Sequence, residues 1–190
     1  MTMNLWIRIE AYLRKKNFRR LSGNYRQIEG KPILNQALLI NGKGKVSIGE
    51  RVQLGYELSP QFWTSYAYFD LRGDDARIIL GDGVILNNNV SLTADGATIQ
   101  IGKNTVAGIN LNIQTSDGHA LDPGIRKNGV FPRLSVVIGD NVFIGDNVMI
   151  LKGVNIGDNS VVGAGSVVTG DIPDNVLAAG NPCRTIRLLN

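Results

Sequence analysis

The stretch that decides the fold begins at Ile138, ends at Pro173 and reads IGDNVF IGDNVM ILKGVN IGDNSV VGAGSV VTGDIP. The first place of every block is aliphatic, and the second place is usually glycine; the first-place residues are Ile138, Ile144, Ile150, Ile156, Val162 and Val168. A period of six matches neither an α-helix nor a long alternating strand, and it indicates a short strand followed by a turn. Glycine and asparagine supply the backbone angles that such turns need. We therefore predict an all-β parallel β-helix in which the first-place residues stack inward.

The same phase recurs upstream of the six blocks. Three blocks make one triangular coil, and further matches at Ile48, Leu54, Leu80, Leu86, Leu92, Ile101, Ala107 and Ile113 predict about five coils in all. Breaks in phase predict loops that leave the corners of the coils. The predicted organisation is an N-terminal basic helical arm over 1–31, coils over 32–173 with loops at about 56–78 and 119–137, and a C-terminal tail over 174–190.

The positive charge of the chain is concentrated in the N-terminal arm. Residues 1–31 carry eight basic and two acidic groups, so the rest of the chain is weakly acidic although the whole has a net charge of +4. This distribution supports a nucleic-acid partner only weakly, and we expect none; it gives better support to an acidic surface or ligand near the arm. An amphipathic helix is also predicted there, from the helical spacing of Leu5, Trp6, Ile9, Tyr12 and Leu13. We expect it to cover the open end of the solenoid; peripheral contact with the inner face of a membrane is the alternative.

The single cysteine, Cys183, excludes an intramolecular disulfide, and the sequence has no Cys/His cluster for a metal. Arg8 and Glu10 interrupt the apolar stretch near the start, which argues against a signal peptide and a membrane-spanning helix. We expect a cytoplasmic protein without a metal site.

Three features carry a resemblance to a known family: the six hexapeptides, the ending AAGNPCRTIR over 178–187, and the RKNG of 126–129 in the second loop. The chain resembles the left-handed β-helix hexapeptide-repeat acetyltransferases, most of all the galactoside, maltose and nodulation sugar O-acetyltransferase branch. The resemblance covers about residues 80–188. It implies a left-handed coil, a homotrimer with active sites between subunits, acetyl-CoA as acyl donor, and a sugar or polysaccharide precursor as acceptor.

His119 is the candidate catalytic residue. Acetyl transfer to a hydroxyl needs a base and then an acid, and one imidazole can serve as both near neutral pH. His119 is the sole histidine and stands at the mouth of the second loop, where the family has its catalytic histidine. The family often has proline next, whereas this chain has Ala120, which leaves the acceptor's identity open. A covalent route through Cys183 is the rival, and it is disfavoured because no histidine neighbours that thiol in sequence.

The resemblance also assigns contacts to acetyl-CoA. Arg184 and Arg187 match a phosphate-contacting pair, and guanidinium groups bind phosphate through forked hydrogen bonds. Ala164 and Thr169 match positions that meet the cofactor along the coils. The basic residue that follows the threonine in the family is Gly170 here, so one phosphate contact is missing.

On the acceptor side, the resemblance assigns contacts to Asn87 and Asp95. The run of asparagines at 87–89 leaves open which of them serves, because asparagine is also common at corners. N-acetylation of an amino-sugar or antibiotic-type acceptor is the alternative reaction, and a non-catalytic β-helix scaffold is the alternative of another class. Carbonic anhydrases of the same fold need three histidines for zinc, so one histidine excludes that activity.

Overall fold

The structure is a computed structural model that describes residues 5–22 and 28–190. Within them the protein has one helix, α1 (Leu5–Leu21), and twenty short strands, so it is an all-β protein with a single helix. Arg26, one of the basic groups of the predicted arm, lies outside the described residues.

The strands form three sheets, which we name A, B and C. Sheet A contains β1 (Ile28–Glu29), β4 (Lys45–Ile48), β7 (Arg77–Leu80), β10 (Thr98–Ile101), β13 (Val136–Ile138) and β16 (Asn155–Ile156). Sheet B contains β2 (Ile33–Leu34), β5 (Gln53–Leu54), β8 (Ile85–Leu86), β11 (Val106–Ala107), β14 (Phe143–Ile144), β17 (Val161–Val162), β19 (Val176–Gly180) and β20 (Cys183–Leu188). Sheet C contains β3 (Leu38–Gly42), β6 (Ala67–Arg72), β9 (Ser91–Asp95), β12 (Asn112–Gln114), β15 (Met149–Ile150) and β18 (Val167–Val168).

The chain enters the three sheets in turn, so each strand up to β15 has as its neighbour in the sheet the strand three places later. We call one passage through sheets A, B and C a coil, and β1–β18 make six coils. The sequence predicts about five, because the first coil is out of phase with the later ones: Ile28 pairs with Val46 rather than with Ile48. Two edges of the coils carry the candidate site residues. At the B–C edge the chain passes from sheet B to sheet C, and at the C–A edge it passes from sheet C to sheet A.

The core lies inside the three sheets and consists of the aliphatic ladders that the repeat predicts. All six first-place residues of 138–173 point inward, with at most 2% of their surface exposed. Neighbours on the strands, such as Phe143 and Val161, point outward. Burying one such aliphatic side chain contributes about 2 kcal/mol, so the ladders supply the stabilisation that two-residue strands lack individually.

The recurring Asp-Asn pair of the repeat has a structural cause. Asn141, Asn159 and Asn175 adopt the left-handed backbone conformation, at φ of 56°, 57° and 56°, which asparagine tolerates better than most residues. Their amides form a ladder: Asn141 Nδ2 donates to Asn159 Oδ1 (2.9 Å), and Asn159 Nδ2 donates to Asn175 Oδ1 (3.2 Å). The preceding aspartates satisfy backbone groups, since Asp158 Oδ1 accepts from the N–H of Asp140 (2.7 Å). These contacts fix the register between coils.

The loops differ in extent from the prediction. The first excursion spans only 56–66, because Ala67, Phe69 and Leu71 turn inward and make strand β6. The second lies between β12 and β13, over 115–135. The C-terminal tail forms β19 and β20, which pair antiparallel and end sheet B.

Helix α1 packs against the first coil. Arg14 Nη2 donates to the carbonyl of Ser65 (2.7 Å), and Lys15 Nζ donates to the carbonyl of Leu34 (3.0 Å). Just after the helix, Ser22 Oγ accepts from the N–H of Ile40 (2.9 Å), which satisfies the outer edge of β3. The Phe18 ring packs on Tyr66, with centroids 4.8 Å apart. The helix therefore covers the N-terminal end of the coils.

The face of α1 that packs against the coils is not the apolar face that the sequence pattern predicts. The residues turned towards the coil are Ala11, Arg14, Lys15 and Phe18, whereas the apolar residues at helical spacing are exposed: Leu5 67%, Trp6 75%, Ile9 39%, Tyr12 60% and Leu13 50%. The cause is that backbone carbonyls of the first coil and of the 56–66 loop, which belongs to the second coil, bind the basic side chains. No helix within 5–22 and 28–190 has the length and apolar character to cross a bilayer.

Candidate active site

His119 lies at the C–A edge, five residues beyond the end of β12, and is exposed. Its Nδ1 is 2.9 Å from the carbonyl oxygen of Ala120, which is buried. A carbonyl oxygen only accepts, so a hydrogen bond here requires the proton on Nδ1, and in the neutral ring Nε2 then has the lone pair. This tautomer has the form that a general base requires.

The chain around His119 is fixed to the coils at several points. Lys152 Nζ, at the same edge on the next coil, lies 2.6 Å from Asp117 Oδ1. At the far end of the loop, the N–H of Leu134 donates to the carbonyl of Thr115 (2.9 Å). Both ends of the 115–135 loop are thereby attached to the C–A edge.

Asp95, at the end of β9, is buried at the same edge. Its Oδ1 accepts from Arg133 Nε (3.0 Å), its Oδ2 accepts from Ser116 Oγ (2.8 Å), and its N–H donates to Thr115 Oγ1 (2.8 Å). Both carboxylate oxygens therefore already have a donor, and a direct contact of Asp95 with an acceptor stays a prediction.

Thr169 follows β18 and is exposed at the C–A edge, two coils beyond His119. The intervening coil contributes Lys152 at the same edge. One edge of the protein thus collects Asp95, His119 and Thr169 along the direction in which the coils stack.

The structure separates the roles of the asparagines at 87–89, which follow β8 at the B–C edge. Asn88 is fully buried, and its Nδ2 donates to carbonyls of the 56–66 loop, including that of Tyr56 (2.9 Å). Asn89 has φ of 60° and joins a corner ladder through Asn110. Asn87 is half-buried, and its Nδ2 donates to Ser59 Oγ (3.0 Å). Of the three asparagines, Asn87 is the one for which ligand binding stays a prediction.

The remaining cofactor candidates lie on sheet B or at its end. Ala164 follows β17 at the B–C edge and is exposed. Arg184 and Arg187 are exposed on β20, opposite Ala179 and Leu177 of β19. Arg184 is therefore near the end of β19 that adjoins the B–C edge.

Cys183 is buried, and burial raises the pKa of its thiol above the ordinary value, against the opposing effects of Ser166 and Arg184. The reactive thiolate is disfavoured there. This agrees with the preference for direct transfer over a covalent intermediate.

Six of the seven predicted site residues fall into two groups within one chain, and Arg187 lies farther along β20, opposite Leu177. Asp95, His119 and Thr169 lie at the C–A edge, whereas Asn87 and Ala164 lie at the B–C edge, with Arg184 beside it. The width of sheet C separates the groups, and the five residues of β9 span roughly 17 Å. Sequence reasoning missed Ser116, Lys152 and Arg133, since no periodicity marks side chains that meet across a loop neck. Within 5–22 and 28–190, no three Cys, His, Asp or Glu side chains group as metal ligands.

Comparisons with known proteins match this architecture. Residues 135–170 match the model of the bacterial transferase hexapeptide (six repeats), and residues 78–94 match the hexapeptide repeat of succinyl-transferase. The galactoside O-acetyltransferase of Escherichia coli is 45% identical over 115 residues, which cover 60% of this chain and 56% of that protein. The chain thus spans little more than half the length of this curated relative.

Two solved structures are similar over almost the whole chain. A maltose O-acetyltransferase from Clostridium difficile is 30% identical with a TM-score of 0.58, covering 98% of this chain and 90% of that one. A hexapeptide-repeat acetyltransferase of Vibrio cholerae, solved with acetyl coenzyme A, is 26% identical with a TM-score of 0.58, covering 97% and 88%. The repeats, the three-sheet coil and these relatives agree, and the chain belongs to the hexapeptide-repeat acetyltransferase family.

Proposed function

We propose that the protein transfers an acetyl group from acetyl-CoA to a hydroxyl of a sugar or polysaccharide precursor, with His119 as general base. The observation that carries the proposal is the His119 ring itself, exposed at the C–A edge with Nδ1 engaged by the Ala120 carbonyl. Relatives named as sugar O-acetyltransferases and a neighbour that contains acetyl coenzyme A support the reaction class.

The reaction is a direct transfer. Nε2 of His119 takes the acceptor hydroxyl proton while the oxygen attacks the thioester carbonyl, and the resulting imidazolium returns that proton to the leaving thiolate. Products are the acetyl ester and CoA-SH. The exposed guanidinium groups of Arg184 and Arg187 suit the phosphates of the cofactor.

We propose further that the coil is a left-handed parallel β-helix and that the protein works as a homotrimer. A closed three-fold ring brings the C–A edge of each subunit against the B–C edge of the next, which completes a site from the two groups. The 115–135 loop supports an interface, since it exposes apolar side chains: Leu121 71%, Ile125 53% and Val130 93%.

The reaction is tested by following thiol release from acetyl-CoA with a panel of sugar hydroxyls and amino-sugars. We expect acetyl-CoA-dependent turnover with at least one hydroxyl acceptor, and an ester in the product by mass spectrometry. Turnover restricted to amines would replace the proposal by the N-acetyltransferase alternative. No turnover with any acceptor, together with no acetyl-CoA binding in a calorimetric titration, would favour the scaffold.

We also propose that the outer face of α1 contacts the anionic inner face of a membrane. Trp6 and Leu13 are exposed on this face, and Lys16 and Arg20 continue it towards the end of the helix. Apolar and basic side chains on one face suit an anionic bilayer. The contact would present a lipid-linked acceptor to the site.

In flotation assays, we expect binding to phosphatidylcholine vesicles that contain phosphatidylglycerol and little binding to phosphatidylcholine alone. Lys16→Glu with Arg20→Glu should abolish it, while the matched charge change Arg126→Glu with Lys127→Glu should not. Equal loss in both double variants would show that net charge rather than the helix face governs binding, and would remove the membrane contact.

A further inference from the structure

We propose that Asp95 is a positioning residue that closes the neck of the His119 loop, an inference that rests on the proposed function. The loop leaves the C–A edge after Ser116 and returns at Arg133, and these two residues pair as an isolated antiparallel bridge. Asp95 touches both of them, through Oδ2 to Ser116 Oγ (2.8 Å) and Oδ1 to Arg133 Nε (3.0 Å). One carboxylate therefore joins the outgoing and returning strands of the loop.

The burial of the carboxylate makes these contacts strong. The Asp95 side chain is 10% exposed, whereas that of Arg133 is 44% exposed. Hydrogen bonds to a charged group are stronger than those between neutral groups, and leaving a buried charge without partners destabilises the fold. The carboxylate thus disfavours any loop conformation that carries Ser116 or Arg133 away.

Arg133 is itself held from two further sides. Its guanidinium carbon stands 4.4 Å from the centroid of the Phe131 ring. On the other side lies Gly96, where an added Cβ would be 3.0 Å from Arg133 Cδ. Through Arg133, the Asp95 contact links the end of β9 to the returning side of the loop neck.

The consequence concerns the reacting nitrogen. His119 is three residues from Ser116, and the intervening Asp117 is tied separately to Lys152. Misplacing a catalytic group by about 1 Å can cost roughly 10²-fold in rate. In this role Asp95 acts on the chemical step through the position of the loop.

The test variant is Asp95→Asn, which keeps the size of the side chain and removes its charge. We expect kcat to fall roughly 10- to 100-fold, with KM for acetyl-CoA and for the acceptor changed less than about twofold because substrate binding is retained. The matched control is Asp82→Asn, a corner aspartate that accepts from the N–H of Glu50 away from the loop. That control should keep wild-type kcat. A raised acceptor KM with unchanged kcat in Asp95→Asn would overturn the inference in favour of a direct acceptor contact.

A cycle with the loop partners sharpens the test. If Asp95 acts through Arg133, then Asp95→Asn combined with Arg133→Gln should be no slower than the slower single variant. In a His119→Ala background, Asp95→Asn should lower kcat no further. Additive losses in both cycles would overturn the inference.

A second readout does not depend on turnover. The loop carries Arg126 and Lys127, so trypsin should cleave native Asp95→Asn several-fold faster than wild type as the loop opens more often. Unchanged cleavage would also overturn the inference. A fully active His119→Ala enzyme would instead contradict the assignment of His119 as the base. The trypsin result would still test whether Asp95 holds the neck of the loop.

Discussion

The His119→Ala enzyme should lose turnover by roughly 10²–10⁴-fold, the range that general base catalysis supplies. Its fold should survive, because His119 is exposed on a loop and contributes nothing to the ladders of the core. Acetyl-CoA affinity, measured by titration calorimetry, should stay close to that of wild type.

The matched control is Cys183→Ala, which removes the rival nucleophile from its buried place. It should turn over at close to the wild-type rate. A His119→Ala enzyme with near-wild-type activity would contradict the base assignment, and loss of activity in Cys183→Ala with an intact fold would revive the covalent route.

Two inactive variants should restore one another when they share a trimer. His119→Ala damages the C–A edge, and Arg184→Glu with Arg187→Glu damages the cofactor group of the B–C edge. If each site takes one edge from each of two neighbouring subunits, equal random mixing leaves about a quarter of the sites with both edges intact. The co-expressed population should therefore recover about a quarter of wild-type activity, and mixed trimers purified from it about a third, since each mixed trimer has one intact site of three.

The control is to place all three substitutions in one chain and co-express it with wild type. Light scattering should give the mass of three chains for every sample. Mixed trimers of the two variants that stay inactive would place a complete site within each subunit, and a monomer with full activity would remove the shared cleft altogether.

The repeat allows most of the fold to be predicted from the sequence. A six-residue phase leaves little choice about which side chains point inward, and the first-place residues of 138–173 are all buried. The phase is shifted in the first coil: Ile28, Leu34 and Ile40 are six apart, but Ile28 pairs with Val46 rather than with Ile48. Helix α1 shows a second limit: its apolar spacing indicates an amphipathic helix, but polar contacts such as Lys15 with the Leu34 carbonyl select the packed face.

The sequence names candidate site residues but does not show how they are arranged. Each residue's place on an edge follows from its position after a strand, yet the sequence says nothing of contacts between residues far apart along the chain. Asp95 and Arg133 are 38 positions apart and meet only because a loop of irregular length returns to the same edge. The roles of Asn87 and Asn88 separate only when the buried amide of Asn88 is seen to hold the 56–66 loop.

The two ends of the stack set the length of the molecule. Parallel edges with free N–H and C=O groups are templates for further strands, and a coil with open ends would add subunits end to end into fibres. Here Ser22 Oγ accepts a hydrogen bond from the N–H of Ile40 on the edge strand β3. At the other end, β20 pairs antiparallel with β19, whereas the other strands of sheet B are parallel. A growing filament would need a parallel strand where the chain offers an antiparallel one. End-to-end growth is thereby disfavoured, and the C–A and B–C edges remain the surfaces through which the proposed trimer would form.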